Sequence, residues 1–169
     1  MPEANPHLQM RVERFGAPPA SASAVVVLIH GRGQSPEYME EHVGRRLHLP
    51  DLAFVAPAAA GDSWYPNSFL APPADNQPWF DFTMQRMAAL RDQLLGEGTP
   101  AEQMVWCGFS QGACVVSQFL STDPRQWGGM IALTGGLIGP PGSVWPIDGE
   151  FGGRQRKMVL TAARGQTRA

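Results

Sequence analysis

Ser110 stands at the centre of Gly108-Phe109-Ser110-Gln111-Gly112, directly after the apolar run from Gln103 to Cys107 and directly before a second one from Gln111 to Leu120. A serine at a tight strand-to-helix turn is held in a strained backbone that leaves its hydroxyl in the open, with the amino terminus of the helix behind it. Such a hydroxyl can attack an acyl carbon and carry the acyl group as a covalent intermediate. Glycines at 108 and 112 let neighbouring backbone come close. The alternative is a glycine-rich turn that happens to contain serine, since a five-residue match is easily met. An activated serine also needs a base, and the four histidines, His7, His30, His42 and His48, all precede Ser110.

A second segment bears on the same chemistry. Ala24-Val25-Val26-Val27-Leu28-Ile29 is a continuous β-branched and aliphatic run of the kind a strand buried on both faces shows, and it ends in His30-Gly31-Arg32-Gly33-Gln34. Where a serine sits on such an elbow, two backbone N–H groups hold the oxyanion, one from the residue after the nucleophile and one from the loop after an early strand. Here those donors are expected at Gln111 and Arg32. His30 lies at the strand end on the oxyanion side and reads as a buried histidine that buttresses the loop, in preference to the catalytic base.

The elements that must position these residues alternate between strand and helix, which argues for a mainly parallel sheet with helices on its faces. Gln103 to Cys107 reads as a short buried strand. Gln111 to Leu120 reads as a helix apolar around most of its circumference, hence central. Pro36 to about Leu47 can form a helix with Pro36 in its first turn. Leu52 to Ala56 is the next strand, stopped by Pro57. Asp81 to Leu95 is the clearest helix, with Met87, Leu90 and Leu94 at i, i+3 and i+7 and glycines at 96 and 98. Met130 to Leu133 gives another buried strand. Between them, residues 57 to 78 hold five prolines together with Trp64, Tyr65 and Phe69. Those rings either meet the acyl or alcohol part of a substrate beside Ser110 or pin a long loop to the domain.

At 169 residues, 43% hydrophobic and 17% charged, the chain is expected to form one soluble domain with a sizeable core. A net charge of −2 and the absence of a dense basic stripe argue against nucleic acid as a partner. No apolar stretch approaches the roughly 20 residues of a membrane span. The amino terminus lacks the basic-then-apolar layout of a secretion signal, which makes the cytoplasm the expected location. Cys107 and Cys114 are expected to be buried, reduced thiols; no metal site and no cofactor are indicated.

Taken together, the chain resembles the carboxylesterase/phospholipase family of small α/β-hydrolases, to which acyl-protein thioesterases belong. The resemblance rests on Leu28-Ile29-His30-Gly31-Arg32-Gly33, on Ser63-Trp64-Tyr65-Pro66 with Ser68-Phe69-Leu70-Ala71-Pro72, on Gly108-Phe109-Ser110-Gln111-Gly112-Ala113 and on Leu133-Thr134-Gly135-Gly136. It implies an α/β-hydrolase fold and an esterase or thioesterase acting on a small-molecule substrate. It further implies Ser110 as nucleophile, Arg32 and Gln111 as oxyanion donors, and an aromatic segment bordering the site.

The carboxyl-terminal stretch departs from that pattern. Residues 154–169 hold Arg154, Arg156, Lys157, Arg164 and Arg168 and no acid, so residues 1–153 are expected to form the domain and 154–169 a basic tail out of family register. In the resembling family a further strand leads to the acid, and a Gly-His pair carrying the base comes later still. Met158 to Ala162 can be a strand, but Arg164-Gly165-Gln166 occupies the place of the acid, and the last strand, base and closing helix have no counterpart. Asp148 has no imidazole to orient. A hydrolase acting through a Ser110 acyl-enzyme is therefore expected with its acid and base missing. The alternative is a non-catalytic acyl-binding or interaction protein, and an exposed sheet edge invites self-association.

Overall fold

The computed structural model describes residues 4–123 and 125–144, and the backbone alone of 159–161. Asp148 and, but for those three residues, the basic tail lie outside them.

Six strands form one sheet in the order β1-β3-β2-β4-β5-β6. Its centre is β2 (Ala24–Ile29), β4 (Met104–Phe109) and β5 (Gly129–Leu133), with β3 (Leu52–Pro57) on the other side of β2. These four run parallel to one another, and β6 (Val159–Thr161) continues the parallel run beside β5. The mainly parallel sheet expected from the apolar runs is thus present. One strand was not foreseen: β1 (Val12–Gly16) pairs antiparallel with β3, placing Val12 opposite Pro57 and Phe15 opposite Phe54.

Strand periodicity divides the core. Val25, Val27 and Ile29 of β2 point to one face, where they meet Met87, Leu90 and Leu94 of α2 (Trp79–Gly96) and Ala113, Val115 and Val116 of α3 (Gln111–Ser121). Val26 and Leu28 point to the other, where they meet Met39 of α1 (Pro36–Met39) with Phe54, Ala56 and Cys107. Helices therefore lie on both faces, as expected for an α/β layer fold. Every residue of α3 is buried, including the polar Gln111, Ser117, Gln118 and Ser121, as befits a central helix with apolar Ala113, Cys114, Val115, Val116, Phe119 and Leu120. The helix expected from Pro36 to Leu47 keeps α geometry only to Met39. It then widens over Glu40–Gly44, tightens over Arg45–Leu47, and ends at His48 with φ 50°. The Phe15 ring lies where a side chain on Gly44 would be, so this turn is shaped by its packing on β1.

Candidate active site

The sequence at 104–121 folds into a strand, one sharp residue and a helix. Ser110 is that residue, with φ 52° and ψ −116°, a conformation that disfavours any side chain. It is held from three sides: its N–H donates to Leu133 O at 2.8 Å, and its carbonyl accepts from Ala113 N–H at 3.0 Å and Cys114 N–H at 3.2 Å. The flanking glycines are required sterically. A Cβ on Gly108 would overlap the Gly112 carbonyl, and one on Gly112 would overlap the carbonyls of Ile29 and His30 at the end of β2. Gly135 is equally constrained, since its Cβ would lie 2.5 Å from that of Ala113. The result is a half-buried serine at the start of α3, whose hydroxyl makes no hydrogen bond among the described residues.

Three loops converge on this point, each from the carboxyl end of a parallel strand, where open α/β sheets place their ligands. After β2, Gly31 N–H donates to Gln34 Oε1 at 2.9 Å and Gly33, with φ 70°, donates to Asp62 O at 2.8 Å. The N–H groups of Arg32 and Gln111 take no partner among the described loop and cap hydrogen bonds. Chemically this is one hydroxyl and two backbone donors beside a helix amino terminus. After β5, Gly136 N–H points to Cys114 Sγ at 3.5 Å and Ile138 N–H donates to Gln118 Oε1 at 3.1 Å.

The loop after β3 is pinned by two buried histidines. His30 Nε2 accepts from Ala59 N–H at 3.0 Å while its Nδ1–H donates to Gly31 O at 2.7 Å. His7 Nδ1 accepts from Ala60 N–H at 3.0 Å and its Nε2–H donates to Trp64 O at 3.1 Å. Each ring has both nitrogens committed, which fixes the neutral tautomer, and burial pushes both pKa values below the ordinary 6.5. His30 is the buttress its position implied. His7 was not foreseen, because it precedes every periodic element and nothing in its neighbours marks it. His42 bonds only Tyr38 O, at 3.0 Å, and stacks on the Tyr38 ring. No described histidine hydrogen-bonds Ser110.

Trp64 and Tyr65 are 0% and 2% exposed. Trp64 Nε1 donates to His30 O at 2.8 Å, and its ring packs against those of His7 and His30. Both rings are packed into the core cluster on the sheet face that carries α2 and α3. Phe69 is only half buried, and its carbonyl accepts from Gly139 N–H at 2.7 Å, joining the loops after β3 and β5. Cys107 and Cys114 are free and buried, and burial raises Cys107 to about 11. Among the described residues no cluster of three or more His, Cys, Asp or Glu side chains is placed to hold a metal, and no helix is long and apolar enough to cross a membrane.

The chain is similar to known proteins over most of its described length. The crystal structure of a phospholipase/carboxylesterase from Dyadobacter fermentans superposes with a TM-score of 0.78 at 36% identity, covering 85% of this chain and 68% of the other. A putative esterase, NocK, of Nocardia uniformis subsp. tsuyamanensis is 30% identical over 72% of this chain, and an acyl-protein thioesterase 1 of Eremothecium gossypii is 26% identical over 78% of it. The chain spans 36% and 61% of the length of those two relatives. The phospholipase/carboxylesterase family model matches residues 11–144, which take in the elbow, the loop after β2 and the aromatic segment. The chain belongs to the phospholipase/carboxylesterase family.

Proposed function

We propose that this chain carries the nucleophile and oxyanion half of a serine esterase site acting on carboxylic esters or thioesters. The observation that carries the reading is the backbone of Ser110, at φ 52° and ψ −116° at the head of α3. Strain of this kind costs about 1–3 kcal/mol and persists where the surroundings over-determine it, which they do here. In the proposed reaction Ser110 Oγ bonds to the acyl carbon and the carbonyl π electrons move onto oxygen, where the N–H groups of Arg32 and Gln111 receive the charge. The hydroxyl proton passes to a base, and the alcohol or thiol departs carrying a proton. Water then attacks the acyl-enzyme, releasing the carboxylic acid and restoring the hydroxyl. Half-buried Phe69 is the aromatic side chain assigned to the substrate in this reading, and the two free thiols fit a reducing, cytoplasmic setting.

A second reading rests on the histidines. His7 and His30 are neutral and fully committed, so the base is not drawn from them. The same pocket without a base is an acyl-binding site with residual turnover from the oxyanion donors, several orders of magnitude below a complete triad. A fluorophosphonate probe with the modified peptide mapped by mass spectrometry, read beside hydrolysis of p-nitrophenyl esters and a thioester, separates the two. Labelling at Ser110 with turnover that Ser110→Ala abolishes supports the hydrolase. Ester-induced stabilisation with neither labelling nor turnover supports the binding protein.

A further inference from the structure

Arg32 and Gln111 share more than a backbone donor apiece: their side chains converge on one atom. The carbonyl of Tyr65 accepts from Arg32 Nη2 at 2.9 Å, from Gln111 Nε2 at 2.8 Å and from Ser63 Oγ at 2.9 Å. Arg32 extends the same fork to Pro66 O and Asn67 O, both at 2.6 Å. Gln111 extends in the other direction, its Oε1 accepting from Trp64 N–H at 3.0 Å. No carboxylate pairs with Arg32 among the described residues, so its charge is met by three carbonyl dipoles and by the Tyr65 ring 6.0 Å away. The receiving segment is itself fixed. Asn67 N–H donates to Oδ1 of the fully buried Asn76 at 2.8 Å, and Asn67 Nδ2 donates to Asp75 O at 2.6 Å.

Gly33 has φ 70°, so the 31–33 turn owes its shape to glycine and gains rigidity from what holds its exposed residue. The 63–67 segment is the shared support for the residues on either side of the oxyanion position, one on the loop after β2 and one at the head of α3. We propose that the Tyr65 carbonyl sets the spacing and aim of the two oxyanion donors, with the Arg32 and Gln111 side chains as positioning groups. This rests on the reading of Ser110 as nucleophile and adds to it the device that aligns its oxyanion hole. A planar fork suits the site better than a point charge, because Nη1 and Nη2 meet the carbonyls of three successive residues from two fixed positions.

The test compares wild type, Arg32→Ala and Arg32→Lys in fluorophosphonate labelling of Ser110, resolved into kinact and KI, and in amide hydrogen exchange at Trp64. Removing an oxyanion donor outright costs about a hundredfold to a thousandfold. Misaiming one by releasing Arg32 is expected to lower kinact by about tenfold to a hundredfold, leave KI within about twofold, and be partly restored by lysine. The Trp64 N–H, which Arg32 does not touch, should exchange faster in Arg32→Ala because its acceptor on Gln111 shares the Tyr65 carbonyl. Wild-type kinact in Arg32→Ala, a loss confined to KI, or unchanged Trp64 exchange would overturn the proposal. If wild type does not label, the nucleophile reading fails instead, and Trp64 exchange alone decides whether the two side chains act as one support.

Discussion

Replacing Ser110 with glycine should stabilise the protein while destroying whatever chemistry it has. At φ 52° and ψ −116° the Cβ of Ser110 is crowded by its own backbone, and the surrounding bonds from Leu133, Ala113 and Cys114 leave it no relaxed alternative. Strain of that type is worth about 1–3 kcal/mol. Glycine removes it but adds backbone freedom to the unfolded chain, a cost of about 0.5–1 kcal/mol. The hydroxyl makes no described hydrogen bond, so its loss adds nothing to the account. The net expected gain is about 0–2.5 kcal/mol, centred near 1 kcal/mol. For a chain of 169 residues, where each kcal/mol moves Tm by about 2–4 °C, this is a rise of up to about 10 °C. Ser110→Ala is the control: it keeps the Cβ and the strain and should melt within about 0.5 kcal/mol of wild type. Urea unfolding followed by tryptophan fluorescence, with equal m values across the three proteins, gives the differences directly. A glycine variant less stable than the alanine variant would show that strain at the elbow is smaller than the backbone freedom glycine adds, and would refute the strained reading of the turn around Ser110.

Stability should fall as pH drops below neutrality, because His7 and His30 have lowered pKa values in the folded state. Their contribution is complete above the ordinary value of 6.5 and is lost beneath it, where the unfolded chain binds protons first, by up to about 1.4 kcal/mol per pH unit for each ring. Urea midpoints between pH 7.5 and 5 should show the decline, with a shallower slope in His7→Gln; a flat profile refutes the assignment. Trp64 and Trp106 are both fully buried, but only Trp64 has its indole N–H bonded, to His30 O, while that of Trp106 has no described partner. Trp64→Phe should therefore cost about 1–3 kcal/mol more than Trp106→Phe, since it alone leaves a buried carbonyl unpaired. Equal unfolding midpoints would contradict this. Neither cysteine should react with a disulfide reagent at pH 8 until the protein is unfolded, when two thiols per chain should appear at once. A thiol that titrates in the native protein would mean an opening at β4 or α3.

How far the architecture was readable depended on how strongly each segment repeats. Val25 to Ile29 and Met104 to Cys107 are apolar on both faces, and such runs have few places to go but the middle of a parallel sheet. β1 escaped notice because an edge strand carries no such run: Val12-Glu13-Arg14-Phe15 shows two apolar residues three apart, and its place is set by Phe15 stacking on Phe54 at 4.8 Å. The end of α1 departs from its sequence pattern for a related reason. Its helical pattern persists to Leu47, but packing of Gly44 on Phe15 overrides local preference there. At the site, backbone requirements were legible because glycine and serine announce them. The clamps were not, since His7, Gln34 and Asn76 act through contacts 53 residues away in one case and through turn geometry in the others.

The nucleophile and the oxyanion donors depend on a contiguous set of elements. β2, β4 and β5 are adjacent in the sheet, α3 lies across them, and the loop after β3 brings the Tyr65 carbonyl to the Arg32 and Gln111 side chains. Among the described residues, the groups that hydrogen-bond Ser110 and the side chains of Arg32 and Gln111 lie between Ser63 and Leu133. A base acts differently, because it contributes to rate without shaping this turn. Turnover and stability therefore report on separable properties, while labelling, which also needs the hydroxyl proton removed, follows alignment and base together. Strain at Ser110 and alignment through Tyr65 belong to the folded core and should be measurable whatever the turnover, whereas turnover measures how well a proton acceptor reaches the hydroxyl. A variant such as Arg32→Ala, which disturbs alignment and leaves the elbow strained, is expected to move the first kind of observable and the second in proportion. One that moves turnover alone would place its residue on the path of the proton.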